Sequence, residues 1–400
     1  NDVIWVESGF FTMPYKILGK KLTIRGRLGD GCNTATEGST ATEVRPAQAL
    51  QRFFGVVNSS LTLEDITFSE GLSTQDGGVI WASGGFAVIT LTRAELLNNR
   101  ASDSVGGAVH ITNGAFLFVF DSTLSDNRAD RGGAISCDGG GGVWLYGALI
   151  ADNNAAFNGG GAYLNNCDLT SIDSLSGPDP VTRFLRNGSS QGGGIAAYGE
   201  SEIQFRPLLG WHLFQSNDAT SGGAIYVNGS DAVADVSGVK FVGNTALGGG
   251  AIAAYSDSTV LLGTHAPTCA RLRPCVVADS NVAEDGAVVF GANLTMRESI
   301  LLRNRNTESF SALIDMTAGP GSATIESSLI AETPASHLGE LICSNQDVLL
   351  RSSTIAFNLG GDALLGGSGG TMQVDQSIFW GNSSAVYDGA FSTTSFECNL

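Results

Sequence analysis

Charge is scarce in this chain. Of 400 residues 15% are charged, 39 acidic and 21 basic, well under the usual quarter. Basic residues are the scarcer kind. The net charge of -18 argues against nucleic acid or an anionic membrane as partner, since both demand a basic face. Nine prolines and no Gly-X-Y period exclude collagen. The longest apolar run, 115–120, falls far short of the roughly 20 residues of a membrane helix, so no transmembrane segment is read. The four histidines, His110, His212, His265 and His337, are scattered without ligand spacing. There is no C-x-x-C pair, H-E-x-x-H motif, phosphate loop or nucleophile elbow, so no metal and no cofactor is expected. No window carries a clean 3.6-residue apolar stripe, and helix should be nearly absent. Asn1 is not preceded by an initiator Met or signal peptide, and Leu400 directly follows the strand-like stretch 393–398. The chain therefore reads as a processed or excised piece of a longer protein.

What is present is glycine, 54 residues, alongside 42% hydrophobic content that separates the chain from disordered glycine-rich polymers. The glycines follow a rule. A phrase of Gly-Gly, a small residue and an aliphatic one stands at 77–80, 106–109, 132–135, 192–195, 222–225 and 249–252. A copy ending in Tyr lies at 160–163, and a degenerate one at 285–288. A second phrase, an apolar residue, two others and Asn, runs in phase with it and ends at Asn99, Asn127, Asn153, Asn187, Asn217 and Asn244. Weaker copies follow at Asn281, Asn304, Asn358 and Asn382. Between the phrases lie alternating segments such as 88–92, 116–120 and 143–146, rich in β-branched and aromatic residues, which read as strands.

A repeat of about 28 residues with three short strands cannot bury a face alone, but stacking repeat on repeat does so. The chain is therefore expected to be all-β, a single-stranded right-handed parallel β-helix. Roughly twelve coils would make it about 55–60 Å long. Each glycine pair would turn a corner at positive φ or let backbones approach closely. The Asn side chains would superpose and hydrogen-bond along a structural ladder. Residues 1–57 lack the phrases and read as N-terminal first coils or a cap. Residues 58–400 read as β-helix repeats with insertions near 173–180, 263–274 and 319–346. Were these three to bulge from one edge, they would form a binding face.

The paired Gly-Gly-Ala-Ile and Phe-x-x-Asn phrases resemble the repeats of chlamydial polymorphic outer-membrane proteins and of many bacterial secreted proteins. The resemblance runs from Phe68 to about Val289. It implies an extracellular or cell-surface β-helix on the bacterial outer surface, often an adhesin or an autotransporter passenger. No C-terminal membrane barrel accompanies the repeats here.

Seven cysteines are present, an odd number. Cys269 and Cys275 bracket part of one insertion and are placed for a local disulfide. Cys137 and Cys167, in adjacent coils, would either cross-link them or serve as small core residues, the latter slightly preferred. Asp65, Arg93 and Asp121 fall at one position of successive coils and read as an ion-pair ladder more than as a subsite. Asp126 and Asp152 also fall on adjacent coils, where two solvated turn acids are weighed against a catalytic acid/base pair. Tyr163, Tyr198, Tyr226 and Tyr255 form an aromatic stripe, read as internal stacking more than as a sugar platform. The functional expectation is a non-enzymatic secreted or surface-displayed structural and adhesion module. Its partner would be carbohydrate or a host or cell-surface protein. The alternative is a polysaccharide lyase or glycoside hydrolase using Asp126 and Asp152.

Overall fold

The computed structural model describes residues 2–7, 9–11, 15–26, 42–47 and 52–397, apart from positions 176, 178, 271, 273, 292, 310, 318–320, 362 and 391–392. The chain divides into two compact units, Asn1–Ser189 and Ser190–Leu400. Each is a right-handed β-solenoid of parallel strands. The one helical element among the described residues is the single turn Ala266–Cys269.

In unit 1 a coil passes through three sheets in turn. Val88–Thr92 lies in the first, Glu95–Leu97 in the second and Val109–Thr112 in the third. The next coil repeats the order with Phe116–Phe120, Thr123–Ser125 and Ile135–Asp138. Each strand pairs in parallel with its equivalent, so that Ile89 lies opposite Leu117, Leu96 opposite Leu124 and Val109 opposite Ile135. Period-2 alternation decides which side chains point inward. Ile89, Leu91, Leu117 and Val119 are fully buried, whereas Thr90 and Phe118 between them face outward. Phe68, Leu96, Leu124, Ile150 and Phe184 form one such inward column. Each buried side chain stabilises the stack by roughly 1.5–3 kcal/mol. Strands Asp2–Val6, Gly9–Phe11 and Tyr15–Leu18 already pair in these sheets.

Three strands per repeat were expected, and four coils of unit 1 carry a fourth. Leu72–Ser73, Arg100–Ala101, Arg128–Arg131 and Asn154–Asn158 form a narrow sheet between the second and the third. The glycine pair lies at the entry to the third sheet, and its two residues do different work. Gly106 has φ 69°, and a Cβ on it would come 2.4 Å from the Val109 carbonyl oxygen. Gly107 is not left-handed, but its Cβ would come 2.0 Å from the carbonyl of Gly133 in the next coil. One residue turns the corner and the other permits close stacking. The copy read at 160–163 begins one residue earlier in the structure, with Gly159 at φ 63°.

Unit 2 follows the same plan. Ile225–Asn228, Val233–Val236 and Val239–Val242 are successive strands of its third, first and second sheets. They pair with Ile252–Tyr255, Thr259–Leu262 and Val276–Asp279 of the following coil.

Candidate functional site

The asparagines lie inside the solenoid, where the second-sheet strand ends. In unit 1 Asn99 Nδ2 donates to Asn127 Oδ1, Asn127 Nδ2 to Asn153 Oδ1 and Asn153 Nδ2 to Asn187 Oδ1, each at 3.0 Å. Each Oδ1 also accepts the backbone N–H of the preceding Asn, at 2.9, 2.9 and 3.1 Å. The second amide proton goes to a carbonyl of the preceding coil, from Asn127 to Leu96 and from Asn153 to Leu124. Two donors and two lone pairs are thus all used, which is what allows a buried amide to be tolerated. In unit 2 Asn217, Asn244, Asn281 and Asn304 repeat the pattern at 2.9 Å, so two weak copies of the phrase belong to it fully.

The charged ladders lie outside. Asp126 and Asp152 follow paired residues of adjacent strands, and both are exposed at positive φ, 58° and 57°. Asp126 accepts from Ser125 Oγ at 3.0 Å. Asp152 accepts two bonds from Arg186, at 2.7 and 2.6 Å. These hydrogen bonds hold the guanidinium above its usual range. A general acid needs a carboxyl that burial or a like charge keeps protonated. Asp152 has instead a guanidinium and solvent beside it, with neither burial nor, among the described residues, a second carboxylate against it. Arg93 grips Asp65 at 2.6 and 2.9 Å and also reaches Glu64. Asp121 turns towards the neighbouring insertion, where a Cβ on Gly177 would fall 2.1 Å from its Oδ1.

Cys269 and Cys275 are bonded, closing the loop between Thr259–Leu262 and Val276–Asp279. Cys137 and Cys167 are also bonded, across a Cα separation of 6.0 Å. The slight preference for two core thiols is thereby corrected: both residues are buried, but they cross-link adjacent coils. Cys343 is free, and burial pushes its thiol up to about 12. Cys32 and Cys398 lie outside the described residues.

Three side chains line up as a triad would. Ser136 Oγ lies 3.1 Å from His110 Nδ1, and His110 Nε2 lies 3.9 Å from Asp76 Oδ2. Burial lowers the His110 pKa and keeps the ring neutral. Ser136 is 0% exposed, however, so its hydroxyl has no approach for a substrate. No group of three His, Cys, Asp or Glu side chains among the described residues is placed to hold a metal.

The insertions separate. In its own unit, each of 173–182 and 263–275 bulges where a first-sheet strand hands over to the second sheet. The third region, 319–346, differs over its described residues, 321–346. It carries the regular strands Ala323–Glu326, Leu329–Ala331 and Glu340–Ser344. A further bulge at the same type of corner, 206–211, escaped the sequence reading because it interrupts no motif. Its Leu208 and Leu209 are exposed, and Trp211 lies 5.1 Å from Lys240 Nζ.

The main surface feature is aromatic. Phe116, Phe118 and Phe120 alternate outward on one first-sheet strand of unit 1, and Trp144 and Tyr146 on the next. Phe118 stacks on Trp144 at 5.1 Å between centroids and Phe120 on Tyr146 at 4.5 Å. Phe116 meets Trp144 at 5.6 Å, the indole leaning over Gly142, where a Cβ would come 2.9 Å from it. Thr90 and Thr170 flank the patch in the neighbouring coils. All five rings are half-buried. The signal was present in the sequence, since residues alternating with Leu117, Val119, Val143 and Leu145 must face outward. The tyrosine stripe, by contrast, packs on itself. Tyr198, Tyr226, Tyr255 and Phe290 follow one another at 5.5, 5.4 and 5.7 Å, with Tyr226 3% exposed. Tyr163, in unit 1, is covered by Arg131 at 5.6 Å.

No family model matches this chain, and no solved structure matches it. It is similar to the probable autotransporter YfaL of Escherichia coli (strain K12), 27% identical over 218 residues. The match covers 45% of this chain and 17% of that protein, so the chain spans about a sixth of its relative's length. No helix among the described residues is long and apolar enough to cross a membrane.

Proposed function

We propose that this chain is part of a secreted, surface-displayed β-helix passenger and works there as an adhesion module. Three observations support the setting. The partial likeness to a probable autotransporter is the first. Two disulfides, which persist in oxidising compartments, are the second. The third is a net charge of -18, which keeps a long solenoid soluble through self-repulsion. The single observation that carries adhesion is the five-ring patch of unit 1. A solenoid needing only solubility would carry threonine or charge at those outward positions. Clustered half-exposed aromatics are what interfaces recruit, because they bury large area with few rotamers to fix. The lyase or hydrolase reading finds less support, since Asp152 is already engaged by Arg186.

The test is adhesion of beads coated with the chain to cell surfaces and matrix proteins. The comparison is wild type against the double variant Phe118→Thr, Trp144→Thr. Retention of the far-ultraviolet spectrum with at least a tenfold loss of adhesion is expected. Undiminished adhesion by the folded variant would refute the role of the patch.

A further inference from the structure

The outward positions of the third sheet in unit 1 form one column, Lys16, Gly55, Trp81, His110, Ser136 and Tyr163, each opposite the next. Gly55 alone lacks a side chain. Its backbone lies within the strand Phe54–Val57, and a Cβ on it would meet no atom within 4 Å. A cavity of about 620 Å³ opens at this gap between Lys16 and Trp81, within the size range of small-molecule sites.

Arg52 lies at the cavity with its guanidinium 5.7 Å from the Trp81 ring centroid, and it donates to Gln75 Oε1. Nine other arginines, Arg93 and Arg186 among them, each reach a carboxylate within 4.0 Å. Among the described residues Arg52 has no such partner, nor do Arg100, Arg128, Arg131 and Arg305, but of these five only Arg52 lines the cavity. Asp76 is the nearest acid, but Ser104 donates to its Oδ1 and His110 faces its Oδ2. Burial pushes the Arg52 pKa below its usual range, and the Asp76 charge only partly opposes this. A desolvated cation without an acid is unfavourable unless something else brings the acid. Lys16 adds a second cation to the lining.

We infer that this cavity binds an acidic sugar. The carboxylate would take the free donors of Arg52 and Lys16, and the pyranose ring would pack on Trp81 in the space that Gly55 leaves. Ring hydroxyls would meet Gln75 and Asp76 at the mouth. Asp76 distinguishes this ligand from a simple anion, since the lone pairs left on its carboxylate would serve only a molecule that also donates hydrogen bonds. The inference rests on the adhesion reading only for where such a sugar would be met.

The full chain is titrated by calorimetry with oligogalacturonate, N-acetylneuraminic acid and the neutral oligogalactose. Binding of either acidic sugar, at least tenfold tighter than the neutral one and weakened by salt, is expected. Gly55→Leu and Gly55→Trp fill the gap without a backbone clash and should abolish binding at an unchanged melting temperature. Arg52→Gln should weaken it tenfold or more. Equal affinity for acidic and neutral sugars, no binding at millimolar sugar, or full binding by a folded Gly55→Trp each overturns the inference. Adhesion through the aromatic patch is read separately, because Gly55→Trp leaves that patch intact.

Discussion

The two units share an interior and differ outside. In both, four buried amides form the same ladder, Asn99 to Asn187 in one and Asn217 to Asn304 in the other. The outward face of the first sheet in unit 1 passes from the ion pair of Arg25 with Glu64 to an aromatic patch around Phe118 and Trp144. In unit 2 that face carries an ion-pair ladder, Arg297 to Glu326 at 2.9 Å, Glu326 to Arg351 at 3.7 Å and Arg351 to Asp375 at 3.6 Å. The third sheet differs in the opposite sense. Unit 2 covers this face with Tyr226 and Tyr255, which stack from neighbouring columns, while unit 1 leaves a gap at Gly55. Where the interior holds register, the exterior is released from that duty and can be spent on recognition.

If the interiors are equivalent, Asn127→Ala in unit 1 and Asn281→Ala in unit 2 should be equally damaging. Each variant orphans two buried donors and removes two donated bonds. A loss of about 3–5 kcal/mol is expected for each, by chemical denaturation with hydrogen exchange locating the loss. Unequal losses would break the comparison.

Next in size is an acid-sensitive point in unit 2. His337 accepts the Asn306 N–H at Nδ1 and lies 3.0 Å from the Glu340 carbonyl through Nε2, so it is built in as the neutral ring. Burial takes its pKa down to about 4, with the Glu340 carbonyl opposing and Arg305 assisting. A depressed folded pKa means full stability above about 6.5 and loss as pH falls towards 4, about 3 kcal/mol in all. Asp315, raised by burial, works in the opposite direction. Exchange protection in unit 2 should therefore weaken over this range, and His337→Gln should flatten the dependence. An unchanged profile in that variant would remove His337 as the cause.

The smallest effect belongs to the ion-pair ladder. Arg351 is half exposed, so Arg351→Gln should reduce stability by less than about 1 kcal/mol, and salt should erase the difference. A larger, salt-independent loss would mean that the outer face of unit 2 holds register after all.

How much of this was legible depends on how far each feature relies on repetition. The β-helix and the positions of Asn99 to Asn244 could be read because stacking demands the same residue at the same place in every coil. The outward aromatic patch was half legible: 116–120 reads as a strand, but its meaning needs the neighbour at 144–146. The bond between Cys137 and Cys167 was hidden by unequal offsets from the glycine phrase. The cavity at Gly55 was not legible at all. It requires the register of Lys16, Gly55 and Trp81, separated by 39 and 26 residues in coils where the phrases are absent or just beginning. Charge did not mark it either, because an arginine without a carboxylate partner is invisible in a composition dominated by acids.

The ladder also has a sense of direction. Every amide hands one proton to the Asn oxygen of the next coil and the other back to a backbone carbonyl, while its own oxygen receives from the coil before, so the Asn-to-Asn bonds within a unit all run the same way and reinforce one another. The two faces of any partial stack are consequently different chemical objects: one offers the paired backbone and amide N–H groups of an Asn, the other an amide oxygen beside a single N–H. Two N–H faces brought together would set donor against donor. Any end-to-end joining that continues the ladder is therefore head-to-tail, the arrangement that propagates into a filament rather than closing into a symmetric pair.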